Sequence, residues 1–244
     1  GVTLNQATND FAGPVALDGQ NVALRDANGL TLGDVTATGT FNVTAGGAVD
    51  QAAGGSLTIT GTTTVTASGQ NVTLYESAND FTGAVSVTGG DVQLQDANAI
   101  ALGLINASTL TVKAGGAVSQ TASATVANET TVTATSQSVT LNNAANAFTG
   151  DVNVTGGAVE IDNARALSLG AIDAASLNAA ATVGDVTNAA DEVLSVAGQT
   201  DITSDAGSVT ISSNSANSER LRGRINLTAG GDISLTGYNT ETVE

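Results

Sequence analysis

The 244 residues carry 23 Asp+Glu against 6 Lys+Arg, a net charge of −17, with no His, Cys, Met or Trp and with 29 Gly. The absence of imidazole and thiol excludes a serine- or cysteine-protease triad and a His/Cys zinc site, and so large an acidic excess repels phosphate, which excludes basic-patch binding to nucleic acid or to an anionic membrane surface. At 41% hydrophobic and 12% charged residues the chain is too apolar for a disordered acidic tail, and at 2% aromatic its core must be built from Val, Leu, Ile, Ala and Thr.

Read from its first residue, the chain opens on Val2-Thr3-Leu4 followed by Asn9-Asp10-Phe11-Ala12-Gly13. The same pattern returns at Val72-Thr73-Leu74 with Asn79-Asp80-Phe81-Thr82-Gly83, and at Val139-Thr140-Leu141 with Asn146-Ala147-Phe148-Thr149-Gly150. Phe11 to Phe81 is 70 residues and Phe81 to Phe148 is 67. A decayed fourth copy starts at Val209-Thr210-Ile211, where Asn217 is kept and the stretch from Ser218 to Leu221 replaces the aromatic. The organisation is therefore one repeat segment over 1–244, with copies at 1–70, 71–138 and 139–208 and a partial copy at 209–244. Because the opening residues match internal stretches, the chain reads as a segment of a longer repetitive protein. No apolar run approaches about 18 residues, so neither a signal peptide nor a membrane span is expected within it.

Within each copy short alternating stretches flank turns such as Gly19-Gln20, Gly46-Gly47, Gly69-Gln70, Gly89-Gly90, Gly115-Gly116, Ser136-Gln137 and Gly156-Gly157. Val85-Ser86-Val87 before Val92-Gln93-Leu94 and Val152-Asn153-Val154 before Val159-Glu160-Ile161 have the period of two that marks a strand. The Ala-rich stretch 171–181 follows strand positions of the other copies and is read as strand too. Nine turn-to-turn intervals cover 211 residues from Gln20 to Gly231, a mean of about 23, so three short units are expected per long repeat. Phe11 to Leu30, Phe81 to Ile100 and Phe148 to Leu167 are each 19 apart, and Gly13 to Gly33, Gly83 to Gly103 and Gly150 to Gly170 are each 20 apart. If one short unit makes one circuit, these residues stack on one another, Asn9 lies over Asn28 and Asn79 over Asn98 as amide rungs, and the third pair, Asn146 with Arg165, breaks the ladder. The expected fold is all-β, a parallel β-helix of ten to eleven circuits of roughly 23 residues, whose narrow interior suits small aliphatic side chains. One immunoglobulin-like sandwich per repeat fits less well, because it leaves the short period unexplained and lacks a core Trp.

Candidate chemistry is sparse. Gly89-Gly90-Asp91-Val92 and Gly230-Gly231-Asp232-Ile233 begin like a calcium nonapeptide but lack its second Gly and its tandem repetition. Asp10, Asp26, Asp80 and Asp96 flank the Asn corner and Asp191-Glu192 forms another acidic pair, an arrangement a glycosidase or lyase would need. The cations Arg25, Lys113, Arg165, Arg220, Arg222 and Arg224 do not recur with these acids, so no catalytic, cofactor-binding or metal residue is assigned and no cofactor is expected. Arg220, Arg222 and Arg224 alternate on one face and read as a local insertion. The Thr-rich stretches Thr62-Thr63-Thr64-Val65-Thr66 and Thr130-Thr131-Val132-Thr133 follow from β propensity. Asn-x-Ser/Thr sequons stand at Asn42, Asn71, Asn106, Asn128, Asn153 and Asn226.

The run Ala78-Asn79-Asp80-Phe81-Thr82-Gly83-Ala84-Val85-Ser86-Val87-Thr88-Gly89-Gly90, continued by Asp96-Ala97-Asn98-Ala99-Ile100-Ala101-Leu102-Gly103, resembles repeats of filamentous-haemagglutinin-like adhesins and related β-strand-repeat bacterial exoproteins. That resemblance implies a right-handed β-helical shaft at the cell surface or outside the cell, holding an adhesive or effector region away from the cell. It implies a host-cell or matrix receptor or a glycan as partner of the full-length protein, and it carries over no functional residue. The segment itself is expected to be a monomer without nucleic-acid binding or membrane insertion, and a carbohydrate-binding or carbohydrate-active module is the alternative.

Overall fold

The computed structural model describes residues 1–190, 192–212 and 220–236. Every regular element among them is a β-strand, and every strand pairing is parallel, which makes the chain a parallel β-solenoid of about 11 turns. It falls into two compact units, Gly1–Thr125 and Val126–Glu244.

One coil of the first unit shows how the sequence builds the rest. Val22–Asp26 runs as a strand with Val22, Leu24 and Asp26 inward and Ala23 and Arg25 outward. The chain turns through Ala27, Asn28 and Gly29 into Leu30–Ala37, then through residues 38–40 into Phe41–Ala45, which lies on Val22–Asp26 in register from Val22↔Phe41 to Asp26↔Ala45. Leu30–Ala37 is two strands joined at a bulge. Residues 30–32 pair with Val49–Gln51, whereas residues 35–37 pair with Leu57–Ile59. Inward Leu32 and inward Val35 are separated by two residues rather than one, and the register slips there against Val15–Gly19. The bulge is a corner made without a loop, and the chain bends there at Gly33.

Three ladders of stacked strands therefore close each coil. In the first unit, one ladder climbs through Val2–Leu4, Val22–Asp26, Phe41–Ala45, Thr63–Thr66 and Val85–Thr88. A second climbs through residues 30–32, Val49–Gln51, Val72–Leu74, Asp91–Asp96 and Thr109–Ala114. The third holds Val15–Gly19, residues 35–37, Leu57–Ile59 and Asp80–Phe81. The second unit is built the same way. Val139–Leu141, residues 159–161, residues 177–181, Thr200–Ser204 and Ile225–Ala229 form one of its ladders. Residues 167–169, Val186–Asn188, Val209–Ser212 and Ile233–Thr236 form another.

Most buried side chains of each unit are Val, Leu, Ile and Ala, with Phe41 and Phe81 fully buried in the first and Phe148 in the second. Burying each large aliphatic side chain contributes roughly 1.5–3 kcal/mol. Stretch 171–181 is strand, as its alignment with the other copies predicts, within Leu167–Ala181.

The glycine and asparagine stacks differ from those the 19- and 20-residue spacings suggest. Phe81 pairs with Ile59 in the coil below, Ile100 pairs with Val118 in the coil above, and both side chains are buried. Gly33 lies against Val15 and Ala16 rather than Gly13, and the glycines that stack on one another include Gly39, Gly61 and Gly83, where a Cβ on Gly61 or Gly83 would collide with the carbonyl of the glycine beneath. Nor is there an amide rung at the corner, since Asn79 is buried while Asn98 is exposed. The physical reason is coil length. Successive partners on one ladder, Val22↔Phe41, Phe41↔Thr63 and Thr63↔Val85, are 19, 22 and 22 residues apart, so a fixed spacing between similar motifs does not identify the residue above.

One turn carries visible backbone strain. Gly69 has φ +73°, and its counterpart in the next copy is Ser136, the one non-glycine with positive φ among the described residues, at φ 61°. The left-handed conformation costs an L-residue roughly 1–2 kcal/mol. Ser136→Gly is expected to raise unfolding free energy by about 1 kcal/mol in urea titration; a loss of stability would show that the Ser136 side chain holds the turn.

Candidate functional site

The features that recur with the long repeat converge on one polar corner. In each of three copies an Asn closes the loop after the Val-Thr-Leu strand, its side-chain amide donating to the carbonyl five residues back: Asn9 to Leu4 at 2.9 Å, Asn79 to Leu74 at 3.3 Å and Asn146 to Leu141 at 2.9 Å. Two residues on stands Phe11, Phe81 or Phe148, whose backbone N–H donates to a side chain 15 residues later. The acceptors are Asp26 Oδ2 at 2.9 Å, Asp96 Oδ2 at 2.8 Å and Asn163 Oδ1 at 2.9 Å. Asp26 and Asp96 use their second oxygen to take the N–H of Asn28 and Asn98, both at 2.7 Å. Asn163 instead donates to the carbonyls of Phe148 and Ala166. All three acceptors are buried.

Asp26 and Asp96, weighed above as members of a carboxylate pair, are therefore corner caps that accept backbone N–H groups the turn leaves open. Asp10 is exposed, Asp80 is half-buried and Glu192 is exposed, while Asp191 and Asn217 lie outside the described residues. Asn79 carries a further load: its Oδ1 takes the N–H of Leu57 at 3.0 Å and it exchanges two hydrogen bonds with the Gln51 amide, at 2.6 and 2.9 Å. Of the cations, Arg25, Lys113, Arg165, Arg222 and Arg224 are exposed, Arg224 donating to Asn226 at 3.0 Å, and the side chain of Arg220 lies outside the described residues. Among the described residues no group of three or more Asp and Glu is gathered closely enough to hold a metal ion. Of the sequon asparagines, Asn42, Asn71, Asn106 and Asn128 are exposed, and Asn153 and Asn226 are half-buried.

Two polar features escaped the sequence reading. Thr63, Thr130 and Thr200, at equivalent positions of successive copies, point inward with fully buried hydroxyls that have no hydrogen-bond partner. The strand alternation carried the signal, because each stands two residues before an inward Val65, Val132 or Ile202. The second is an outward polar row in the second unit, Glu160, Asn178, Asp201 and Asn226, stacked in register. Glu160 accepts from Asn142 at 3.0 Å, Asp201 accepts from Gln199 at 2.6 Å and from Asn226, and a surface hollow of about 220 Å³ is lined by Glu160, Asn178, Gln199 and Asp201 together with neighbouring backbone and apolar atoms. Register pairing was its only signal, and the coil lengths that set it are irregular.

Burial pushes the Asp96 carboxyl above the ordinary carboxylate range; the N–H groups of Phe81 and Asn98 oppose the shift, and Asp80 adds to it. Asp162 is raised by burial and by neighbouring Glu160. A raised folded-state pKa means that the native state holds the proton more tightly than the unfolded chain, so the contribution of Asp96 is fullest at low pH and declines as pH rises through the interval between its ordinary and raised values. Urea titrations of the parent chain and Asp96→Asn from about pH 3 to about pH 7 are expected to show the parent losing stability relative to the variant across that interval. A parent that gains stability relative to the variant as pH rises would reverse the sign and overturn the assignment. Thr63→Val removes an unpaired buried hydroxyl at nearly constant shape and is expected to stabilise by about 1–3 kcal/mol, whereas a net loss would reveal a partner for that hydroxyl.

Comparison with curated proteins finds no match, and neither does comparison with solved structures. Residues 19–88, 89–155 and 156–220 each match the family described as repeats of unknown function, DUF5649, and the lengths of the first two matches equal the 70- and 67-residue spacings of the aromatic corner. Since the three matches together span most of its length, the chain belongs to the DUF5649 repeat family.

Proposed function

We propose that this chain is a non-catalytic shaft segment of a large secreted or cell-surface bacterial adhesin, a spacer that holds a receptor- or glycan-binding region of the full-length protein away from the cell. The observation that carries the reading is the division of labour within the repeat. What recurs from copy to copy is buried and bonded to backbone: Asn79 and Asn146, Phe81 and Phe148, Asp96 and Asn163. What faces outward at equivalent positions changes, from Ala23 and Arg25 to Gln93 and Gln95 to Glu160 and Asp162. A repeat that preserves its caps and varies its exterior specifies a coil rather than a chemical site. The likeness of residues 78–103 to filamentous-haemagglutinin-like repeats supports a place at the cell surface, and the −17 net charge favours a solvated exterior that avoids nucleic acid and anionic membranes.

Two measurements test the proposal. Replacing the segment within its surface protein by an equal number of coils from an unrelated solenoid is expected to leave cell attachment unchanged. The isolated segment is expected to sediment as a monomer and to give no saturable signal on a glycan array or a host-cell panel. Loss of attachment on replacement overturns the spacer role. Saturable glycan binding that Asn178→Ala abolishes would favour the carbohydrate-binding reading, centred on the outward row that includes Glu160 and Asp201.

A further inference from the structure

The long repeat and the coil do not share a period. From Val22–Asp26 to its counterpart Asp91–Asp96 the strand runs begin at residues 22, 30, 35, 41, 49, 57, 63, 72, 80, 85 and 91, which is ten steps along the chain when Leu30–Ala37 is counted as the two runs its pairings show. A coil has three ladders, so ten steps make three coils and one strand more. Equivalent residues of successive copies must therefore stand on different ladders. Within the first unit they do. Val2 and Val22 lie on the ladder of Phe41 and Thr63, but Val72 and Val92 lie on the ladder of Val49 and Leu110. Val35 belongs with Leu57, whereas Ile105 belongs with Val87 and Val65. The second unit repeats the displacement, with Val139 on the ladder of Val159 and Leu177 and Val209 on that of Leu167 and Val186.

We infer that the long repeat is a phase-setting module: adding or removing one copy turns everything downstream by one face of the three-strand coil, whereas adding or removing whole coils of the Gly39–Gly61–Gly83 type leaves the facing unchanged. Copy number in such a chain sets the direction in which any following region points as well as its distance. A surface group that recurs once per copy is displayed on each face in turn and forms no one-sided stripe. The inference rests on strand register alone and stands whether or not the segment is a shaft.

The local sequence permits the exchange. Asp26-Ala27-Asn28-Gly29-Leu30 and Asp96-Ala97-Asn98-Ala99-Ile100 are equivalent corners, and Val15–Gly19 packs on residues 32–37 as Val85–Thr88 packs on residues 102–106, with the same register slip. Deleting residues 30–99 therefore joins Gly29 to Ile100 and brings Thr109–Ala114 onto Val22–Asp26, a strand it does not touch in the parent chain, where its partner is Asp91–Asp96.

Cysteine pairs oxidised with copper phenanthroline read the register. In the parent chain Ala23→Cys with Asn42→Cys and Gln93→Cys with Thr111→Cys are stacked partners, about 4.8 Å apart along a ladder and within disulfide range. Ala23→Cys with Thr111→Cys lies several coils apart there and is expected to cross-link only at background level. In the chain lacking residues 30–99 that pair is expected to cross-link as completely as the parent's stacked pairs. The reciprocal variant carries a second copy of residues 30–99 after Ala99. Gln93→Cys in the first copy is expected to cross-link to Asn42→Cys in the inserted copy. A β-sheet circular dichroism spectrum without these cross-links overturns the inference, and so does failure of both variants to fold, since an exchangeable ten-strand module must do both.

Discussion

In a parallel solenoid the backbone of each strand finds its hydrogen-bond partners only in the coils above and below, and that requirement governs everything else in the structure. Unpaired backbone polar groups are costly when buried, so register takes precedence over composition at every corner. The small interior follows, because three strands closing one coil leave room for Val, Leu, Ile and Ala and for an occasional Phe such as Phe41 or Phe81. Close approach follows as well. Where a corner of one coil rests on the corner beneath, a Cβ has no place, and Gly61 over Gly39 and Gly83 over Gly61 meet that condition.

Corners break the ladder, and the repeated polar residues restore it. The N–H of Phe81 points where no strand can supply a carbonyl, and Asp96 reaches it from the next coil; Asn163 serves Phe148 by the same geometry with a different distribution of donors and acceptors. The bulge at Gly33 solves the problem in another way, by bending one continuous run so that residues 30–32 and 35–37 join different ladders. In the later copies the side chain beneath the bulge assists: Ser86 accepts the N–H of Leu104 at 3.1 Å and Asn153 that of Ala171 at 2.7 Å. The chain thus closes its tightest coils, such as Val92 to Leu110, with almost no loop residues.

These corners mark where sequence reading succeeds and where it stops. Alternation such as Val22-Ala23-Leu24 reports its own inward face, and the Val-Thr-Leu recurrence reports a repeat, because both are local properties of the chain. Which residue lies above Phe81 is not local. It depends on the summed length of every corner in the intervening coil, and those corners include the Gly33-type bulge, which the sequence shows only as a Leu-Gly-x-Val or Leu-Gly-x-Ile string at residues 32–35, 102–105 and 169–172. Asp26 and Asp96 were misleading for a related reason. An acidic residue in a turn ordinarily faces water, and only the fixed interval of 15 residues back to Phe11 and Phe81 distinguishes a cap from a solvated carboxylate. Thr63 and Thr130 look like exposed-strand threonines until the alternation of Val65 and Val132 is followed backward by two.

The exterior of the repeat is free to drift while its interior is not, because an outward side chain meets only the coils directly above and below it. Ala23 and its counterpart Gln93 are separated by three coils and one strand, too far to form a cross-strand pair, so an exchange at one is not felt by the other. Each meets its own neighbours instead: Ala23 lies beside Asn42, Gln93 beside Thr73 and Thr111, and Glu160 beside Thr140 and Asn178. Interior positions have no such freedom, because every ladder contributes to the same narrow core and asks for the same small apolar side chains wherever a copy happens to begin. The corner caps are held more tightly still. Asp96 must match the open N–H groups of its own turn, and those are set by the backbone of one copy alone, so the cap travels with its repeat from face to face while the surface around it changes.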